Sequence, residues 1–234
     1  MKYVYYRGYR WKVTREFSSG YLDLESVGVT EKMIVETELS VHESDVVPYY
    51  EKRMYFFVNR SLSEIQKGIQ AGHAAIEYAR HYGTTEEFQN FAKYDKTFIL
   101  LNGGNSNSHD QSKYGLEPFF GTMEELGMEL SKLCDSPYYY NSARFFEPDL
   151  NYSLTALAFI VDERAYDTEK YPVFIKWLDQ QGTPAKDLVE FAMLPDDSPL
   201  PWELRPKFDA WMNTVMGGML NVHLRNLITG KKLA

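Results

Sequence analysis

Hydrophobic positions fall into three regimes along the chain. In the first fifty residues they alternate: Lys2-Tyr3-Val4-Tyr5-Tyr6-Arg7 and Arg10-Trp11-Lys12-Val13-Thr14 flank Gly8, and Lys32 to Val41 repeats the period of two. Such alternation predicts a small antiparallel sheet, wet on one face. Pro48 interrupts it just before Met54-Tyr55-Phe56-Phe57-Val58, a continuous apolar run of the kind found in strands covered on both faces.

From there the period switches between strand and helix. Ser61 or Ser63 supplies an N-cap, with Glu64 the capping-box partner of Ser61, and Ile65, Ile69 and Ile76 mark helical spacing to about Tyr82, where Gly83 ends it. A second buried strand, Thr97–Leu101, runs into Asn102-Gly103-Gly104-Asn105-Ser106. Thr122–Leu133 is predicted as an amphipathic helix, and Ser142–Phe146 and Thr155–Val161 as two further strands. The order β-α-β-α-β-β predicts an α/β domain: a mixed sheet with helices packed on it and at least one right-handed crossover.

Beyond Glu163 the pattern turns helical, over Tyr171–Gln181, about Lys186–Ala192 and Arg205–Leu227, the last weakened at Gly217-Gly218, with prolines between Pro195 and Pro206. Three segments follow: a β extension over 1–50, an α/β domain over 51–165, and helices over 166–234 packed back on that domain.

Composition narrows the partners. A formal net charge of −8 argues against a long cationic groove for duplex nucleic acid, though a local pocket for one nucleotide is compatible with it. Tyrosine is abundant at 18 residues, and its ring with a hydroxyl suits half-buried faces and stacking surfaces alike. The N-terminal Lys2, Arg7, Arg10, Lys12 and Arg15 form either a solvated strand face or a second phosphate contact. The lone Cys134 has no intrachain disulfide partner and is expected to be buried and inert. No apolar leader follows Met1 and no run is long enough to span a bilayer, so a cytoplasmic, membrane-free protein is expected. His81 and His109 lack metal-ligand spacing with any cysteine or carboxylate pair, so neither a metal nor another cofactor is expected.

The candidate chemistry clusters at two places. In Gln66-Lys67-Gly68-Ile69-Gln70-Ala71-Gly72-His73-Ala74-Ala75, small residues permit close helix packing, while Gln70 and His73 stand about one turn apart. The glycine loop at Asn102, Gly103 and Gly104 offers backbone amides at a strand's carboxyl end, where α/β sheets bind ligands, or is simply a mobile insertion.

Together with the preceding strand, Gln70, His73, Ala74 and Ala75 match the Gln-x-x-His-Ala-Ala of class II peptidyl-tRNA hydrolases, which this region of about 110 residues resembles. The ending Leu224-Arg225-Asn226-Leu227 also looks like that of uncharacterised tailed-bacteriophage proteins carrying the domain. Glu147-Pro148-Asp149-Leu150-Asn151 takes the place of the family's acidic loop without its Arg-Thr pair, and Gln66 stands where the family has lysine, with Lys67 next to it.

The resemblance implies two functions. In a binding protein for a nucleotide or tRNA 3′ end, Gln66, Gln70, His73, Asn102, Gly103, Gly104, Glu147 and Asn151 would line the site; in a phage, such a pocket would capture a nucleotide signal of host immunity. In an active ester hydrolase, Asp149 or Glu147 would activate water, Lys67 or His73 would stabilise the oxyanion, and Thr155 would position the ester. Each has a plainer role available: His73 as a packed histidine, Gln70 as a loop ligand, Asp149 as a turn residue. A homodimeric interaction scaffold is the remaining expectation.

Overall fold

A computed structural model describes residues 2–7, 9–27, 36–106, 121–134, 140–184 and 201–234, with the Cys134 side chain excepted. The expected helix at 186–192, His109 and the first half of the Lys32–Val41 strand lie outside the described residues.

Two sheets form. The first joins β1 (Tyr3–Tyr6), β2 (Tyr9–Glu16), β3 (Tyr21–Ser26), β4 (Thr37–His42) and β5 (Val47–Pro48) in the order β4-β3-β2-β1-β5, with antiparallel neighbours throughout. One face buries Val4, Trp11, Leu22, Leu24 and Val41.

The second sheet orders β7 (Thr97–Asn102), β6 (Lys52–Val58), β9 (Ser153–Asp162) and β8 (Ser142–Glu147) as β7-β6-β9-β8. It is mixed: β6 and β7 run parallel, and the other pairs are antiparallel. Alternation assigns its two faces. Tyr55, Phe57, Leu157, Phe159 and Val161 pack with Met123, Leu126 and Leu130 of α3 (Thr122–Cys134) and with Leu224. Met54, Phe56, Val58, Ala156, Ala158 and Ile160 pack instead on Ala71, Ala74 and Tyr78 of α1 (Glu64–Tyr82). The chain is thus an α/β protein with a mixed sheet covered by helices on both faces.

Alpha1 departs from its expected orientation. Ile65, Ile69 and Ile76 are 78%, 51% and 66% exposed, while Lys67, Gln70, Ala71, Ala74 and Tyr78 are buried. The cause is opposite them on the sheet, where Ala143, Ala156 and Ala158 bring the helix close, leaving room for alanine rather than isoleucine. The cap also shifts. Ser63, not Ser61, is the N-cap and Gln66, not Glu64, completes the capping box, because Asn59 Oδ1 holds the Ser61 amide in a turn at 2.8 Å.

Several short elements escape periodicity: α2 (Glu86–Asn90), a π-helical turn over Phe91–Asp95, and α4 (Glu163–Tyr166). The helix expected from Tyr171 starts only at Phe174, as α5 (Phe174–Gln180). The last helical stretch is broken as its glycines suggest, into α6 (Arg205–Trp211), a π turn over Met212–Met216, and α7 (Met219–Ile228). Gly217 adopts φ +70° beneath Arg164, whose Nη1 lies 1.8 Å from where a Cβ would stand. Leu224 of α7 joins the sheet core, and the segment after it reaches the open edge of β7, where the Asn102 amide donates to the Lys232 carbonyl (2.9 Å) and the Ala234 amide to the Leu100 carbonyl (3.0 Å). A bridge between Leu101 and Leu233 makes this a short added strand.

The two sheets meet at Asp95. Its Oδ1 accepts from Arg10 Nη1 at 2.7 Å, and its Oδ2 accepts from the Tyr49 hydroxyl (2.7 Å) and the Lys52 amide (2.9 Å). The Arg10 guanidinium also lies about 5 Å from the rings of Tyr3, Tyr49 and Tyr94. Burial raises the Asp95 carboxyl, opposed by these hydrogen bonds and Arg10. The N-terminal basic residues are therefore dispersed into separate contacts: Lys2 pairs with Glu16, Arg7 with Glu38, and Arg15 covers Phe17. No helix among the described residues is long and apolar enough to cross a membrane.

Candidate functional site

The carboxyl ends of β6, β7 and β8 and the start of β9 lie at one end of the mixed sheet, as the registers of Val58 with Asn102 and Ala156, and of Glu147 with Ser153, require. There α1 begins. Its inward face carries Lys67 and Gln70, both buried.

Gln70 is the hub. Its Nε2 donates to Glu147 Oε2 at 2.6 Å and its Oε1 accepts from the Thr155 hydroxyl at 2.8 Å, tying helix to acidic turn and strand. Gln70 is 6% exposed and Thr155 fully buried, so both amide functions need partners, and have them. Orientation of the amide follows from this network: only with nitrogen toward the carboxylate and oxygen toward the hydroxyl are both bonds made.

His73 sits further along and outward. Its imidazole is exposed and stacks on Phe145 of β8, with centroids 4.6 Å apart and planes at 12°. Among the described residues it has no hydrogen-bond partner, so neither ring nitrogen is oriented. Lys67 is buried along its stem, and its ammonium pairs with Glu64 at 2.9 Å. Gln66 points away from the site and serves the helix cap.

The acidic turn is strained. Glu147 caps a 3-10 turn over Pro148–Leu150 through the Asp149 amide, and Asn151 and Tyr152 follow at φ +53° and +54°. Two consecutive left-handed residues, one of them aromatic, cost on the order of 1–3 kcal/mol each. Asp149, Asn151 and Tyr152 are exposed, and Asp149 contributes to this turn through its amide.

The glycine loop has a packing role. A Cβ on Gly103 would stand 2.2 Å from Met123 Sδ, and one on Gly104, at φ +82°, 1.8 Å from Thr122 Oγ1. Its amides are already engaged: Gly103 with the Val58 carbonyl, Gly104 with Asn102 Oδ1, and Asn105 with Thr122 Oγ1. The loop therefore walls the site without offering an open nest of amides.

One segment at this end was expected to matter only through Ser61, as a helix cap. The Asn59 amide donates to the Thr155 carbonyl (3.0 Å), its Nδ2 to Ser106 Oγ (2.6 Å), and the Arg60 amide to the Gly104 carbonyl (2.7 Å). The only sequence signal for Asn59 and Arg60 is their place immediately after the strongest strand, the end at which open sheets bind ligands.

Of the expected site residues, the fold thus unites Gln70, Glu147, Thr155 and, through Phe145, His73, with Lys67 on the same helix face as Gln70. Gln66 lies apart from them, and Asn102, Gly103 and Gly104 shape the neighbouring wall. Among the described residues, no group of three or more His, Cys, Asp and Glu is arranged to hold a metal ion. No protein-family model matches the chain, and no curated protein matches it.

Proposed function

We propose that this chain binds a nucleotide or the end of an RNA strand on a domain similar to class II peptidyl-tRNA hydrolases, without efficient turnover. The observation that carries the reading is the Gln70 hub: helix, acidic turn and strand are joined by two short hydrogen bonds, a buried network that fixes the half-exposed Glu147 carboxylate beside the His73–Phe145 stack rather than an isolated acid–base pair.

Hydrolysis needs a base or electrophile held toward a reacting atom. Here the Glu147 carboxylate is occupied by Gln70, the Lys67 ammonium by Glu64, and the His73 ring is held by stacking alone. Binding asks less. The outer face of the His73–Phe145 stack suits a base, and a carboxylate beside it suits ribose hydroxyls or an exocyclic amine. For a phage-encoded protein, retention of a host nucleotide signal is a use that such a site would serve.

A second reading, active peptidyl-tRNA hydrolysis, is favoured by one specific observation. Lys67, not Gln66, shares the inward face with Gln70, so the displaced lysine is still on the sheet side of the helix.

Two assays separate the readings. In a thermal-shift screen against nucleosides, mononucleotides and cyclic and linear dinucleotides, a ligand at ~100 times its Kd adds about 2.7 kcal/mol of stability. A shift with any of them, together with intact peptidyl-tRNA after prolonged incubation, is the expected result. Release of free tRNA would install the second reading, and no shift with intact tRNA would remove both.

A further inference from the structure

Arg60 is a cation presented by a rigid backbone. On either side of it the chain is fixed: Asn59 by Thr155 and Ser106, Arg60 itself through its amide to Gly104, and Ser61 through its amide to Asn59 Oδ1 and its hydroxyl to Asn105 Oδ1 at 3.2 Å. Its side chain is exposed and, among the described residues, has no carboxylate, carbonyl or ring partner.

Most other arginines are committed. Arg7, Arg10, Arg53, Arg80 and Arg164 pair with carboxylates, Arg15 lies over a ring, and Arg144 and Arg225 bind backbone carbonyls. Among the described residues, only Arg205, at the start of α6, shares the uncommitted state of Arg60. In a chain with 33 acidic against 25 basic residues, a pinned backbone here presents a solvated guanidinium whose planar donor fork no protein group among the described residues engages. Its location adds the second half. Asn59, its neighbour, bonds the same Thr155 that bonds Gln70, so Arg60 borders the Gln70 hub through one residue.

We infer that Arg60 recognises a phosphate of the ligand, so that the site prefers a nucleoside phosphate, free or within an RNA end, to the corresponding nucleoside. This rests on the binding reading above. Charge is then divided across the site: Glu147 on the hydroxyl or amine side, and Arg60 on the phosphate side, where guanidinium matches two phosphate oxygens at once. No bond is made or broken.

The test compares four nucleosides, their 5′-monophosphates and the trinucleotide CCA by calorimetric titration of wild type, Arg60→Gln, Arg60→Lys and Gln70→Leu. The wild type should bind a monophosphate at least ~10-fold tighter than its nucleoside, a difference of about 1.4 kcal/mol. Arg60→Gln should abolish that ratio and leave nucleoside affinity unchanged, while Arg60→Lys retains part of it. A mononucleotide site shows the loss with monophosphates alone; an RNA-end site shows it with CCA too, with a salt slope lowered by ~0.7 for the lost phosphate contact.

An Arg60→Gln protein that keeps the full phosphate preference overturns the inference and leaves the binding reading standing. Failure of that reading looks different: Gln70→Leu, folded by circular dichroism, binds every compound as the wild type does. A wild type that binds none of them removes both.

Discussion

The Gln70 amide spans 85 positions of sequence to accept the Thr155 hydroxyl at 2.8 Å, and the two residues are among the few buried polar side chains in the chain. Removing Thr155 strands the Gln70 amide oxygen, and removing Gln70 leaves the Thr155 hydroxyl only its longer bond to the Phe145 carbonyl (3.3 Å). Gln70→Leu or Thr155→Val should each cost ~1–3 kcal/mol, the penalty of an unsatisfied buried group. Because each single change already breaks the bond, the double variant should cost less than the sum, with a coupling of at least ~0.5 kcal/mol in urea denaturation. Strict additivity would show that the bond contributes nothing.

The orientation of α1 gives predictions of different size on its two faces. Ile65→Gln and Ile69→Gln should stay within about ±0.5 kcal/mol of wild type, as surface changes do. Ala74→Leu, pressed against the sheet alanines, should lose ~1–3 kcal/mol through overpacking. Chemical denaturation of the three variants decides it, and the reverse ranking would place the isoleucines inside.

Much of this helix was legible before its orientation was. The strands at 54–58, 97–101 and 155–161 and the helix ending at Gly83 follow from periodicity, since covered strands and glycine stops write themselves into local sequence. The inward face of α1 did not, because its buried side carries Lys67 and Gln70, and its apolar contacts come from small alanines that weigh little in a hydrophobic pattern. The candidate site was legible as residue types in Gln70, Glu147 and Thr155. Its connectivity was not, because those hydrogen bonds join segments separated by 77 and 85 positions. Arg60 and Asp95 carry no motif at all, and their significance lies in contacts that only folding creates.

Asp95 joins the two sheets, and Asp95→Asn should separate their energetics. The change puts an amide where the Arg10 guanidinium, the Tyr49 hydroxyl and the Lys52 amide all donate, leaving at least one donor unpaired, a loss of about 1–3 kcal/mol. Tyr49→Phe, deleting one hydrogen bond to the same carboxylate, should cost about 1–3 kcal/mol. Equal melting temperatures for Asp95→Asn and the wild type would mean that the N-terminal sheet stands independently.

Glu87 predicts a pH dependence. Burial raises its carboxyl, against the opposing pull of Lys52 and the Tyr78 hydroxyl, which donates to it at 3.2 Å. A raised value means that the native state holds this proton more tightly than the unfolded chain does. Its favourable contribution is thus complete below the unfolded value of ~4.3 and is lost as pH rises through the higher native value. Asp95, raised in the same direction, acts in the same sense from ~3.9 upward. Urea midpoints of wild type relative to Glu87→Gln should therefore decline from pH 4 to pH 8. A flat or rising difference would contradict the burial of this carboxylate.

The strand formed around Leu233 has a consequence for how the protein is made. It covers the outer hydrogen-bonding edge of β7, yet the ribosome adds it after every strand of that sheet has been synthesised. Until then β7 presents bare amides and carbonyls, an invitation to pair with neighbouring nascent chains. High-level expression, and any truncation that removes residues 231–234, should favour inclusion bodies over native yield, because this protein guards that edge with a late-arriving latch.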